Sequence, residues 1–369
     1  MRPTVLVIGA GKIGHFLIHH LPQYNLIVVD QAAQSLEKVK DLPSVVQIHR
    51  IDTAEDLVSI VSQTAPRLAI SCVPGDVGYE VAKTVLQQGV PVVDVSFMPE
   101  DAFSLLEVVK TAGTWYIPDA GIAPGFSNLF AGWSAEQMAV EEFRCYVGGL
   151  PQHLNAPLYY EAPFHIRDAL AEYVRPARLR RQGRNVAVHP LSVIEYVDQF
   201  RREAGVLTAF YTDGLRTLLQ TLPDIPTMEE LTLRYRPHLE IMRTFADLDL
   251  LTPEKLPTLA EWLQPFVTPQ SADMTLLWCE ARNSAGEFAT VRLVDYGDEH
   301  HLSMTKVTGT VALSVVEALL PDPVEEQQPL VSIEEPGVYP LELLPQLFDR
   351  VVEKLVAAGA DLTVECSIQ

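Results

Sequence analysis

The chain has little of what would cross-link it, hold a metal or attach it to a membrane. Only four cysteines, Cys72, Cys145, Cys279 and Cys366, occur in 369 residues, and no two form a C-x-x-C pair. A disulfide framework and a thiolate zinc site are therefore not expected, and reduced thiols point to a cytoplasmic setting. The ten histidines form no H-E-x-x-H. The adjacent pairs His19-His20 and His300-His301 do not face one site on a helix, so no metal is expected. No window approaches about 18 uninterrupted apolar residues, so no membrane span is expected. The first residues run straight into a strand-like stretch without a basic, then apolar, leader, so no secretory signal is expected. Positive charge is scarce: 27 Lys and Arg stand against 48 Asp and Glu, a formal charge of −21. Such a surface repels phosphate backbones and anionic lipid, so neither nucleic acid nor membrane is expected as a partner.

What is there reads as two domains. The length is about twice the usual 150 residues of one domain, and 48% apolar with 20% charged residues is ordinary globular composition. In the first third, short apolar runs at 5–8, 26–29, 45–48, 68–72, 92–95 and 115–117 alternate with helix-like segments. Strands buried on both faces read as near-continuous apolar runs, so six such units predict an α/β, doubly wound parallel sheet. From about residue 142 onward, strand-like stretches at 143–148, 185–189, 207–211, 275–282 and 290–295 lack regular crossover helices. These predict an α+β second domain with a mixed or antiparallel sheet. Proline-bearing stretches at 222–226 and 252–269 read as loop-rich insertions. Helix-like segments at 308–320 and 340–358 are positioned to return to the first domain. The expected division is a nucleotide domain over 1–122, completed by 304–369, and a second domain over 123–303.

The strongest motif is Gly9-Ala10-Gly11-Lys12-Ile13-Gly14, between a strand and a helix. Its first glycine allows the tight turn, its second lets the backbone approach a pyrophosphate, and its third lets helix and strand pack closely. The helix N-terminus then offers N–H groups to the phosphates. Asp30 ends the second strand, sixteen residues after Gly14. A carboxylate there accepts from both ribose hydroxyls and repels a 2′-phosphate, and no arginine follows it, so NAD is expected rather than NADP. Asp52 reads equally as an adenine contact or as a charge at a helix start. Cys72, Val73 and Pro74 follow the fourth strand, where the chain end faces the cofactor; Cys72 reads as a small buried residue rather than a nucleophile. Asp94 follows the fifth strand. Asp119, Gly121 and Pro124 follow the sixth, in a loop that reads as a cofactor contact and a domain-crossing turn together. Five arginines in 175–184 read as a solvated or anion-binding surface.

These segments resemble the saccharopine dehydrogenase family. The resemblance rests on Val93-Asp94-Val95-Ser96-Phe97-Met98-Pro99-Glu100, the loop 118–128, Tyr146-Val147-Gly148-Gly149-Leu150-Pro151 and Ala156-Pro157-Leu158-Tyr159-Tyr160. It continues through Glu172-Tyr173-Val174-Arg175-Pro176-Ala177-Arg178, the run 209–216, Thr232-Leu233-Arg234-Tyr235 and Ser303-Met304-Thr305-Lys306-Val307-Thr308-Gly309. Within the family the likeness is greatest to the L-lysine 6-dehydrogenases. It implies a nicotinamide-nucleotide domain, a substrate domain that also forms a homodimer, and oxidation of an amine-bearing carbon. For lysine that reaction gives allysine, which cyclises to a piperideine carboxylate, and releases ammonia; saccharopine enzymes act on a secondary amine. Two departures bear on the substrate. Arg236-Pro237 stands before His238 where Pro-Gly is the family pattern, and no serine accompanies His165.

Oxidising an amine carbon requires a neutral amine, a base to take its proton, and a cation for the α-carboxylate. Arg234 and Arg216 are the candidate clamps, each with a structural ion pair as the alternative. Asp94, Asp119 and His238 are candidate bases, and Asp213 a candidate amine partner. Tyr160 and Thr212 are candidate hydrogen-bonding residues, with Tyr160 alternatively in the core. A non-catalytic nucleotide sensor is the rival from another class; it would have no use for polar groups at the strand ends.

Overall fold

The computed structural model describes residues 2–154, 157–162, 166–269, 272–298, 300–321 and 328–368. Ala156 and the stretch 163–165 with His165, quoted above for the family likeness, lie outside the described residues. In chain order the first strands are β1 (Thr4–Ile8), β2 (Asn25–Asp30), β3 (Val45–Arg50), β4 (Leu68–Ser71), β5 (Val92–Asp94) and β6 (Trp115–Ile117). Then come β7 (Glu142–Pro151), β8 (Ala177–Arg181), β9 (Arg184–Val188), β10 (Ile194–Val197), β11 (Leu207–Tyr211) and β12 (Thr227–Arg234). The last are β13 (Asp273–Arg282), β14 (Phe288–Tyr296), β15 (Gly337–Val338) and β16 (Asp361–Ser367). The chain divides into one unit of Met1–Leu129 with Thr308–Lys354, and another of Phe130–Val307 with Leu355–Gln369.

The first unit is a parallel sheet in the order β15-β6-β5-β4-β1-β2-β3, the doubly wound arrangement. Val5, Leu6 and Val7 on β1 and Leu26, Ile27 and Val28 on β2 are buried, as central parallel strands require. The order reverses between β1 and β4, and ligands of such sheets bind at the carboxyl ends beside that point. Thr53 and Asp56 start the helix Ala54–Thr64 with a reciprocal capping box. The two-residue β15 extends the sheet beside β6 and is too short to carry a sequence pattern.

The second unit holds a sheet in the order β10-β11-β12-β7-β13-β14-β16, with the β8–β9 hairpin attached to β12. Only β12 and β7 run parallel in it. The sheet is thus mixed and mainly antiparallel. Three readings need correction. Most of the arginine run lies on this hairpin, with Arg181 and Arg184 exposed as expected and Arg180 buried instead. Arg180 is 4% exposed, and its guanidinium donates to the carbonyls of Leu219, Leu222 and Ile225 and to Asn185. The proline-bearing stretch 252–269 contains the helix Leu256–Val267; Pro257 sits in its first turn, where the missing N–H has no intrahelical partner in any case. The tail segment 340–358 begins as 3₁₀ turns, with the α-helix confined to Phe348–Ala357. From Leu355 the chain lies in the second unit, where β16 pairs with β14. No described helix is long and apolar enough to cross a membrane, and no described group of three His, Cys, Asp or Glu can hold a metal ion.

Candidate functional site

The glycine loop is built from backbone. Gly9 follows β1 with φ +93°, and a Cβ there would lie 2.8 Å from the Cys72 carbonyl oxygen. A Cβ on Gly14 would lie 1.8 Å from the Gly9 carbonyl oxygen, so the first and third glycines are required by packing. Gly11 differs: nothing lies within 4 Å of its Cβ position. The loop is therefore open where a pyrophosphate would approach. Lys12 and Ile13 begin the helix Lys12–His20, which has no side-chain cap and no acidic residue in its first turn. These are the properties of an anion-receiving helix end. Asp30 braces the loop: one carboxylate oxygen accepts from Ala10 N–H at 2.6 Å, the other from Ala32 N–H at 2.7 Å. Each oxygen keeps a second lone pair for a ribose hydroxyl. The residues present thus fit a dinucleotide.

The other strand ends divide. Asp52 is exposed and pairs with Arg50 at 3.0 Å. Cys72 is half-buried; burial, with Asp94 adding to it, pushes its thiol up, so it is no nucleophile. Val73 is half-buried and Pro74 exposed, before the helix Gly75–Leu86. Asp94 has no exposed surface. Its carboxylate accepts from Ser96 N–H at 2.8 Å, Ser96 hydroxyl at 2.7 Å and Tyr116 hydroxyl at 2.8 Å. Burial pushes it up to about 6, against those bonds. The carboxylate ties β6 and the turn after β5 together. Asp119 follows β6 with φ +54°, a backbone conformation that aspartate enters more readily than most residues. Gly121 and half-buried Pro124 lie in the next loop, where a Cβ on Gly121 would stand 3.3 Å from the Pro124 carbonyl oxygen.

In the second unit, Tyr160, Arg234 and His238 come together. Arg234, on β12, is 2% exposed. Its Nε donates to Tyr173 hydroxyl at 3.1 Å, one terminal nitrogen to Leu233 carbonyl at 2.9 Å and the other to Glu172 at 2.7 Å. Burial opposes the guanidinium charge, and Tyr173, Tyr160 and Glu172 outweigh it. The group stays charged, and two of its five N–H donors have no hydrogen-bond partner among the described residues. The Tyr160 ring lies 4.8 Å from it. The Tyr160 hydroxyl is buried and has no hydrogen-bond partner among the described residues.

His238 does not stand as the expected base. Its Nδ1 faces the Leu158 carbonyl at 2.9 Å and so carries the proton; its Nε2 accepts from Tyr173 hydroxyl at 2.7 Å. Burial, then Arg234, lowers its pKa to about 3. The imidazole is neutral, and both nitrogens are engaged within the unit. It orients Tyr173, which in turn holds Arg234.

Thr212, Asp213 and Arg216 share one segment after β11. Thr212 hydroxyl bonds Glu230 at 2.8 Å and Thr232 at 2.7 Å. Asp213 is clasped by Arg178, with Nε and a terminal nitrogen each at 2.8 Å. A bidentate pair of this kind fixes the segment. Arg216 is 4% exposed in left-handed backbone, φ +50°. The sequence reading missed Glu172, Tyr173, Arg178 and Glu230. The first three lie in one quoted motif, 172–178; Glu230 lies in none.

Two family models match the chain. The saccharopine dehydrogenase NADP binding domain matches residues 5–117, and the saccharopine dehydrogenase C-terminal domain matches 121–360. A saccharopine dehydrogenase [NADP(+), L-glutamate-forming] of Schizosaccharomyces pombe is 24% identical over 71% of this chain and 60% of its own length. One of the same name from Pyricularia oryzae is 24% identical over 70% and 60%. The chain thus spans about 60% of the length of these curated relatives. A solved apo saccharopine dehydrogenase (L-Glu forming) from Saccharomyces cerevisiae shares the fold, with TM-score 0.78, 18% identity and coverage of 99% of this chain and 100% of that one.

Proposed function

We propose, because this chain belongs to the saccharopine dehydrogenase family, that it oxidises an amine-bearing carbon of an amino acid with a nicotinamide dinucleotide. The preferred substrate in this reading is L-lysine, attacked at its ε-amino carbon to give allysine, its cyclised piperideine carboxylate and ammonia. A second reading, a secondary amine such as saccharopine, is favoured by the names of the relatives. The observation that carries the proposal is Arg234: a buried, charged guanidinium held at three points with two donors left, beside a buried tyrosine hydroxyl without a partner among the described residues. That arrangement supports Arg234 as the partner of a substrate carboxylate.

A bound dinucleotide would supply the hydride acceptor, with Gly9, Gly11, Gly14 and the start of the helix Lys12–His20 holding its phosphates and Asp30 its ribose. The protein's own groups do the rest. Arg234, with Arg216, orients the α-carboxylate; Tyr160 and Thr212 add hydrogen bonds. Of the three proposed bases, Asp94 and His238 are committed within their own units, and Asp119 is retained to take the amine proton. Asp30 supports NAD over NADP, although the relatives are named for NADP(+). A homodimer belongs to the same proposal, and light scattering tests it.

The test is a panel of L-lysine, saccharopine and other amino-acid amines at alkaline pH, read by reduced-nucleotide absorbance with each cofactor. Turnover of lysine with NAD is expected. Turnover of saccharopine alone supports the second reading. Nucleotide binding without turnover of any amine would leave the sensor. A KM for NADP below that for NAD would overturn the cofactor assignment.

A further inference from the structure

Glu230 lies on β12 two residues before Thr232 and four before Arg234, so the three share one face of the strand. It is 4% exposed. One carboxylate oxygen, Oε2, accepts from both Thr212 hydroxyl and Gly214 N–H, each at 2.8 Å. The Thr212 hydroxyl also meets Thr232 at 2.7 Å, and Thr212 N–H reaches the Glu230 carbonyl at 3.2 Å. A Cβ on Gly214 would stand 2.4 Å from the Glu230 carboxyl carbon. The segment therefore lies directly against this carboxyl group and has a glycine where contact is closest. On its other side the same segment is clasped through Asp213 by Arg178.

We propose that Glu230 is a positioning residue, whose carboxylate sets the conformation of the 212–216 segment that presents Thr212 and Arg216 to the amino-acid substrate. The proposal rests on the functional reading above for what the segment binds, but not for what holds the segment. A glutamine here would keep the shape and lose the negative charge, and hydrogen bonds to a charged acceptor are the stronger ones. The ionisable groups facing this carboxyl are Glu172, before β8, Asp213 on the segment itself and Cys145 opposite on β7, with Arg178 behind Asp213 and Arg234 further along β12. Burial pushes the carboxyl up to about 7; the Thr212 and Gly214 bonds oppose this, and Glu172 and Asp213 add like charge.

A raised carboxyl has a definite sign. It favours the fold at pH below its ordinary 4.5 and loses that contribution as pH rises through about 7. The ionised form thus strains the fold while gripping the segment best. A merely structural carboxylate would show the same sign, so Gly214 exchange and the split of KM from kcat are the discriminating readouts.

The experiment compares full-length wild type with Glu230→Gln across pH 6 to 9, by thermal melting, by amide hydrogen exchange corrected for intrinsic rate, and by kinetics on the amine that wild type turns over. Above neutral pH the variant should melt higher than wild type. Its Gly214 amide should nevertheless exchange about tenfold faster, and its KM for the amine should rise about tenfold with kcat little changed. Unchanged Gly214 exchange and unchanged KM would overturn the proposal. If wild type oxidises no amine, the functional reading fails, and the exchange data still decide the positioning role. Should Glu230→Gln not fold, Thr212→Val removes one donor and leaves the carboxylate. Gly214 exchange should then rise about threefold over wild type, and no change would again overturn the proposal.

Discussion

The glycine loop and the guanidinium cluster are made of different material. The loop is backbone: its shape comes from a positive φ at Gly9, a forbidden Cβ at Gly14 and two amides gripping Asp30. The cluster is side chain: Arg234, Tyr173, His238 and Glu172 hold one another, and among the described residues backbone enters through the Leu158 and Leu233 carbonyls. A backbone site is broken by adding atoms. A side-chain site is broken by removing them, because whatever remains is buried and unsatisfied.

The largest effect should follow from removing the charge at the centre of the cluster. Arg234→Ala takes from the mostly buried Glu172 its hydrogen-bonded cation, and the loss of one partner from such a pair costs about 3–5 kcal/mol. Urea unfolding measures this, and any enzyme that still folds should show a KM for the amino acid raised far more than kcat. Unchanged kinetics in a folded variant would remove the clamp. Next is Gly14→Ala, where the new methyl meets the Gly9 carbonyl oxygen. Forced backbone movement of this kind costs about 1–3 kcal/mol, and nucleotide affinity measured by calorimetry should fall with it.

The pH dependence of the cluster has a definite direction. His238 is depressed from 6.5 to about 3, so its contribution to stability is complete above pH 6.5 and is lost as pH falls toward 3. Glu230 runs the opposite way. His238→Gln should flatten the acid limb of stability, read by melting temperature from pH 7 to 4. It should leave the pH profile of kcat without a lost ionisation near neutrality. A missing limb near pH 6.5 in that profile would restore the imidazole as a base. The smallest effect belongs to Asp52→Ala. An exposed pair with Arg50 is a weak interaction, so nucleotide KM should stay unchanged; a clear rise would return Asp52 to the adenine site.

The sequence showed the first unit more fully than the second. The six first strands, the glycine loop and Asp30 all stand close together along the chain, and their roles follow from local chain geometry. Arg234 and Tyr160 were legible as types suited to a carboxylate. Their burial was not. On β12, Glu230, Thr232 and Arg234 alternate with Leu231 and Leu233, and polar residues at a period of two ordinarily mark a solvent face. Here the polar side is buried too, with Glu230, Thr232 and Arg234 all below 9% exposure. Within the arginine run Arg180 departs from the surface reading for the same reason: it finds its acceptors around residues 219–225, some 40 positions away in the chain.

The sequence by itself determined the doubly wound sheet, the nucleotide loop and the family. Those depend on glycines, apolar runs and short spacings that act within a few residues. Only the tertiary structure decided which polar groups are committed to one another. Asp94 and His238 are held by hydrogen bonds within their own units, Asp213 is the partner of Arg178, and Glu230 emerged beneath no motif at all. A buried charge needs partners that complete its hydrogen bonds, and folding draws those partners from strands far apart in the chain.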